Sequence, residues 1–127
     1  LRPSVECDTY DIPGYSVTDY RQYDSHEGVP YIESAAAYDE ANGELNVFVV
    51  NIDWEQDTTV ELDISGFEGY DFIEQIELYT DDMNASNSYE NPEAIVPSKN
   101  SAAKFQNGKV STVAKKLSWN VFRFKKR

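Results

Sequence analysis

The sequence predicts an all-β chain, a two-layer antiparallel β-sandwich, on three observations. Wherever a clear hydrophobic period exists it is two, as in TTVELDI, where Val60, Leu62 and Ile64 alternate with Thr59, Glu61 and Asp63. The alternating runs are short and separated by turn chemistry, including Asn42-Gly43, Asn107-Gly108 and the two glycines of SGFEGYD. Only Ser34 to Ala41 has helix-compatible residues, and its flanks are rich in β-formers. At 127 residues the chain fits one domain, and such a domain buries roughly two-thirds of the surface of its unfolded chain.

Taken in order, the N-terminal section reads as a short strand near Ser4 to Cys7 and then an irregular loop carrying Tyr10, Tyr15, Tyr20 and Tyr23 without a fixed period. Residues 1-28 are accordingly expected to be a connecting strand and loop, 29-124 the sandwich, and 125-127 a basic tail. After VPYIESAAAY, Asn42-Gly43 is expected to supply the positive φ angles of a tight reversal. GELNVFVVN then sends Leu45, Val47 and Val49 one way and Phe48 and Val50 the other, so this strand needs cover on both sides. Phe48 and Val50 are assigned to the packed interior. Asp53 to Asp57 turns the chain into TTVELDI, and in FIEQIELYT the residues Phe72, Ile76 and Leu78 mark a strand with an irregularity, a bulge, near Ile73 and Glu74. Asp81 to Pro92 is an aperiodic polar loop. AIVP, a second Asn-Gly reversal in AKFQNGKVSTV and the closing strand LSWNVFRF complete the chain.

The formal charge of −12 argues against a nucleic-acid partner. Its distribution is polar along the chain: all 23 acidic residues lie at or before Glu93, and nine of the eleven basic ones at or after Lys99. The basic segment is expected to fold back on acidic neighbours, because the terminal KKR is too short for a basic patch. No apolar run is long enough for a membrane-spanning helix, so no membrane partner is expected. Any export signal would lie upstream, leaving localisation open with a slight lean to the cytoplasm. The lone Cys7 reads as a small buried side chain and the lone His26 as a loop residue, and no cofactor is expected.

Carboxylates are the first place to look for chemistry. Asp53, Glu55 and Asp57 have the alternate spacing of a calcium loop, but Thr58 and Ile64 stand where an EF-hand needs Gly and a bidentate Glu. Glu74 with Glu77, or Asp81 with Asp82, are neighbours on one segment, whereas a glycosidase pair must face each other across a substrate. No catalytic, substrate-binding or metal-binding residue is assigned. The tyrosines and Trp54 leave a carbohydrate-binding module as the alternative, since aromatic rings stack on sugars, although no three rings have the strand spacing of one exposed platform.

The order of three segments is informative: VPYIESAAAYDEANGELNVFVVN, then NASNSYENPEAIVP, then LSWNVFRF at the extreme end. In this order they resemble the C-terminal domain of α-L-arabinofuranosidases of glycoside hydrolase family 51. The resemblance implies a jelly-roll-like sandwich attached to a (β/α)8 barrel that carries a glutamate acid/base and a glutamate nucleophile, so this chain alone is expected to be inactive. It implies the catalytic barrel of the same polypeptide as partner, leaves homo-oligomer contacts open, and implies strand material from the enzyme's N-terminus, whose place is then an exposed edge or apolar patch. The matching residues are Pro30, Tyr31, Asn51, Asn84, Asn87, Pro92, Val96, Pro97, Ser118, Trp119, Asn120 and Val121, with structural roles expected for each. Asn51, Asn84 and Asn87 are expected to bond loop backbone, and the prolines to rigidify the connection around AIVP. Ile52-Asp53 replaces the Arg-Ser that many members carry, and DYRQYDSHEG looks peculiar to this sequence.

Overall fold

Alternation in the sequence becomes strand throughout. This computed structural model describes residues 1–18 and 21–127, and every paired strand in it is antiparallel. The sandwich is built from β5 (Ile32–Asp39), β6 (Glu44–Asn51), β7 (Thr58–Asp63), β8 (Tyr70–Leu78), β9 (Ser98–Asn100), β10 (Lys104–Gln106), β11 (Lys109–Ala114) and β12 (Ser118–Lys126). One sheet has the order β5-β6-β12-β8-β9, and the sheet packed on it has the order β10-β11-β7. The helix-compatible Ser34 to Ala41 lies mostly in β5, consistent with its flanks.

Between the sheets, Leu45, Val47, Val49, Phe122 and Phe124 of the larger sheet meet Ile64 and Val110 of the smaller side. Phe72, Phe105 and Phe124 form a ring cluster with centroids 5.5 to 6.1 Å apart, close to the tilted arrangements aromatic pairs prefer. Cys7 packs at the margin of this core. The basic strands do fold back on the acidic half: Lys109 pairs with Glu61, Arg123 and Lys99 with Glu74, and Lys125 with Glu44.

Several expectations change. Residues 1–8 form no strand, and the section expected to be an irregular loop is a pair of two-stranded ribbons. There β1 (Thr9–Ile12) pairs with β4 (His26–Pro30), and β2 (Tyr15–Thr18) with β3 (Arg21–Tyr23). Ribbons this short give no hydrophobic period to read, and stacking of Tyr15 on Tyr23 at 4.8 Å holds the outer one. Tyr20 lies outside the described residues. Lys125 and Lys126 end β12 instead of forming a tail, and the Arg127 N–H donates to the Gly69 carbonyl at 3.0 Å.

The two Asn-Gly pairs also differ. Asn107 (φ 52°) and Gly108 (φ 73°) form the expected two-residue reversal, whereas at the first pair only Gly43 has positive φ (61°). Asn42 instead sits in a longer loop, bonded to Asp39. The irregularity in β8 is a bulge: Arg123 pairs with Glu74 but Phe124 with Phe72, leaving Ile73 extra.

Candidate functional site

The bulge and the register decide what each face of the larger sheet presents. Rows running across the strands make this visible. On the inner face, Tyr38, Leu45, Phe124 and Phe72 lie in one row, and Ala36, Val47, Phe122 and Gln75 in the next. Then come Ser34, Val49, Asn120 and Glu77, and finally Ile32, Asn51 and Ser118. The interior therefore turns polar toward one end.

There the buried polar groups satisfy one another. The Thr112 hydroxyl donates to Gln75 Oε1 at 2.9 Å, Gln75 Nε2 donates to Asn120 Oδ1 at 2.9 Å, and Asn120 Nδ2 donates to Ser118 Oγ at 2.9 Å. Asn51 Nδ2 donates to the carbonyls of Gln56 and Ala114, and its Oδ1 accepts the Asp53 N–H at 3.0 Å. Among the described residues no buried side-chain polar atom lacks a partner, as the desolvation of such groups demands.

The outer face runs the opposite way. Glu44, Lys125 and Asp71 form a charged row, and Asn46, Arg123 and Glu74 the next. At the far end stand Phe48, Val121 and Ile76, then Val50, Trp119 and Leu78. Phe48 and Val50 thus lie outside, not in the interior assigned to them, because the two-sided apolar pattern of β6 puts Leu45, Val47 and Val49 on the inner face. The second cover that β6 needs is not supplied by this chain's described residues: Trp119 is 49% exposed, and Phe48 packs on it at 5.9 Å.

A groove of 530 Å³ continues this face past the sheet's end, lined by Val50, Ile52, Leu78, Ile95, Leu117 and Trp119 among others. Two local devices shape it. Asn87 clasps the backbone of Ile95, its Nδ2 donating to the Ile95 carbonyl at 3.0 Å and its Oδ1 accepting the Ile95 N–H at 2.7 Å. Leu117 is held at φ 50°, with its N–H donating to the Asp53 carbonyl at 3.0 Å. A leucine in the left-handed region costs about 1–2 kcal/mol, and such strain is concentrated where a side chain must be aimed.

Of the residues singled out in the sequence, Asn51, Ser118, Trp119 and Asn120 converge at this end, with Asn87 acting through Ile95. Val121 lies on the outer face beside Phe48. Pro30 ends β4, and Tyr31 joins the ribbon to the sheet, its N–H donating to Asp8 and its carbonyl accepting from Ile52. Pro92, Val96 and Pro97 lie in the exposed loop before β9. Among the described residues Asn84 makes no side-chain bond to loop backbone, and its own N–H donates to Asp82 Oδ1 at 2.9 Å. The groove residues Ile52, Leu78 and Leu117 were not assigned to a site, and the signals for such a face were the two-sided apolarity of GELNVFVVN and the apolar patch that the resemblance implies.

A second, polar hollow of 980 Å³ lies between Glu6, Asp8 and Thr9 on one side and Asp53, Trp54 and Glu55 on the other, with Tyr31 in its wall. Burial, followed by the charges of Asp53 and Glu55, raises the Tyr31 phenol above its ordinary value. Asp53 is engaged locally, its Oδ1 accepting the N–H groups of Glu55 and Gln56. Glu74 and Glu77 lie on opposite faces of β8, each tied to basic or amide partners.

The sequence profile of the α-L-arabinofuranosidase C-terminal domain matches residues 1–118. Among curated proteins, intracellular exo-α-(1→5)-L-arabinofuranosidase 1 of Bacillus subtilis is 33% identical over 126 residues, which cover 99% of this chain and 23% of that protein. The intracellular exo-α-(1→5)-L-arabinofuranosidase of Acetivibrio thermocellus is 34% identical over 101 residues, 80% of this chain and 20% of that protein. Among solved structures, the arabinose complex of α-L-arabinofuranosidase from Thermotoga maritima superposes with a TM-score of 0.78 at 25% identity, covering 96% of this chain and 24% of that one. The chain thus spans about a fifth to a quarter of the length of these relatives. By its sequence profile, its relatives and its fold, the chain belongs to the α-L-arabinofuranosidase C-terminal domain family.

Proposed function

We propose that this chain is the non-catalytic C-terminal sandwich of a family 51 α-L-arabinofuranosidase, and that it stabilises the enzyme by covering one side of the catalytic barrel. In this reading the parent removes terminal α-L-arabinofuranosyl groups from arabinose-containing polysaccharides or oligosaccharides by a retaining mechanism whose two glutamates lie on the barrel. The names of the relatives, exo-acting arabinofuranosidases, support that substrate class.

The observation that carries the reading is the outer face of the larger sheet, where Phe48, Val50, Leu78 and Trp119 meet the groove holding Ile95 and Leu117. Its occupant is the remainder of the same polypeptide, since the relatives are four to five times the length that this chain matches. In the parent polypeptide, Trp119→Asp is expected to lower the melting temperature of the whole enzyme and make the sandwich more sensitive to proteolysis. An unchanged melting temperature would remove this face from the interface. The purified chain is expected to release no nitrophenol from an aryl α-L-arabinofuranoside, and turnover would overturn the non-catalytic assignment.

A second reading, a sugar-binding module, is favoured by one observation: Trp54, 62% exposed, stands over the polar hollow with Tyr31. Affinity gels containing arabinan or arabinoxylan separate the two. Passage without retardation supports the supporting role, and retardation abolished by Trp54→Ala supports the module.

A further inference from the structure

The two Asn-Gly pairs have the same local sequence chemistry and different surroundings. Asn42 is clamped: its Nδ2 donates to Asp39 Oδ2 at 2.7 Å, its N–H donates to Asp39 Oδ1 at 3.0 Å, and the Gly43 N–H donates to the Glu40 carbonyl at 3.3 Å. The bonds from Asn42 hold the Asp39 carboxyl below its ordinary value, so the clamp persists as a charged acceptor through neutral pH. Asn107 has no such restraint. Its side chain is exposed and makes no hydrogen bond among the described residues, and neither does the Gly108 N–H; only the Gly108 carbonyl is engaged, accepting from Ile64 at 2.8 Å. The turn also closes the edge of its sheet, because β10 has three residues and β11 as its one neighbour. Short edge segments open locally at small free energy.

Loss of ammonia from asparagine needs two freedoms: a side-chain amide able to rotate, and a following backbone nitrogen that is unbonded and uncrowded. We propose that Asn107 is a built-in deamidation site of this domain, and that Asp39 protects Asn42 from the same reaction. The Gly108 N–H loses its proton to solvent base, and the nitrogen attacks Asn107 Cγ. A C–N bond forms, the Cγ–Nδ2 bond breaks, and Nδ2 leaves as ammonia after taking up a proton. Water then opens the cyclic imide. Cleavage at the Cγ–N bond leaves aspartate, and cleavage at the bond between the Asn107 carbonyl carbon and nitrogen leaves isoaspartate, whose main chain carries one extra methylene.

That extra atom has little room. A Cβ built on Gly108 would stand 3.1 Å from the Ser65 Cα, so the turn already lies against the loop that follows β7. Isoaspartate at 107 is therefore expected to break the bond between Ile64 and Gly108 and release β10.

The test is incubation of the folded chain at mildly alkaline pH, with conversion at each site followed by peptide mass spectrometry and isoaspartate by enzymatic methyl transfer. Asn107 is expected to convert several-fold faster than Asn42. In the Asp39→Ala chain, checked for native circular dichroism, Asn42 should accelerate while staying slower than Asn107, because the Gly43 N–H still donates to the Glu40 carbonyl, and Asn107 should stay unchanged. In denaturant the two sites should react at similar rates. Equal or faster conversion of Asn42 in the folded chain, an Asn42 rate indifferent to Asp39→Ala, or a difference that survives denaturation would each overturn the proposal.

Discussion

The two ends of the five-stranded sheet are built on inverted plans. At the end holding Leu45, Phe72 and Phe124, apolar side chains point inward and Glu44, Asp71 and Lys125 point out. At the end holding Asn51, Ser118 and Asn120, amides and hydroxyls are sealed inside while Val50, Leu78 and Trp119 point out. The first end is the arrangement that stabilises a free-standing domain. The second makes sense as half of a larger interface, because its inner polar groups fix geometry and its outer apolar groups await cover. In the proposed reading one sheet serves two cores.

Substitutions can break this comparison, beginning where the effect is largest. Phe122→Ala, in the middle of the conventional core and fully buried, should destabilise the isolated chain by about 3–5 kcal/mol, read from the midpoint of urea unfolding. Asn120→Ala, at the polar end, strands the Gln75 amide and the Ser118 hydroxyl and should cost about 1–3 kcal/mol. Replacing the network together, as Gln75→Leu with Thr112→Val, Ser118→Ala and Asn120→Leu, should come close to neutral. A large loss in the quadruple variant would mean that the polar end contributes net stability after all.

A pH series tests the conventional end alone. The hydrogen bond to Tyr38, together with burial, pushes the Tyr70 phenol up to about 12. A raised folded value means that the stabilisation is complete below the unfolded phenol's value near 10 and is lost as pH rises toward 12. Tyr70→Phe should flatten that alkaline limb, and an unchanged limb would assign it to other groups.

The smallest effects are expected on the outer face. Trp119→Asp should change the isolated chain's stability by less than about 1 kcal/mol, and light scattering at high concentration should show less self-association than for the unsubstituted chain if the apolar face is what associates. Leu117→Gly removes a left-handed leucine but loosens the unfolded chain, so the two changes should cancel to within about 1 kcal/mol. If either variant unfolds the isolated chain, the outer face belongs to its own core and the comparison fails.

Much of this was legible in the sequence, and the exceptions have physical causes. Strict alternation in TTVELDI, the reversal at Asn107-Gly108 and the irregularity at Ile73 were readable because each depends on local backbone chemistry. The side to which Phe48 and Val50 point was not, because an apolar pattern on both faces names two covers without saying which lies within the chain. The ribbons of residues 9–30 also escaped notice, since two-stranded ladders bury too little on either face to imprint a period. The polar end was hidden for a different reason. Gln75 and Asn120 look like surface residues until strand pairing brings them together, with Ser118 two residues away on the same strand and Thr112 reaching Gln75 from the facing sheet.

Ile73 carries a consequence out of proportion to its size. Had β8 kept strict alternation from Phe72, then Glu74, Ile76 and Leu78 would share Phe72's side and turn toward the smaller sheet. The surplus residue acts as a half-step in the rhythm of the strand, after which every later side chain trades places. Excising Ile73 should therefore leave each remaining neighbour where it is now, whereas ironing the kink flat with the residue retained would turn Ile76 and Leu78 inward and take them from the outer apolar face.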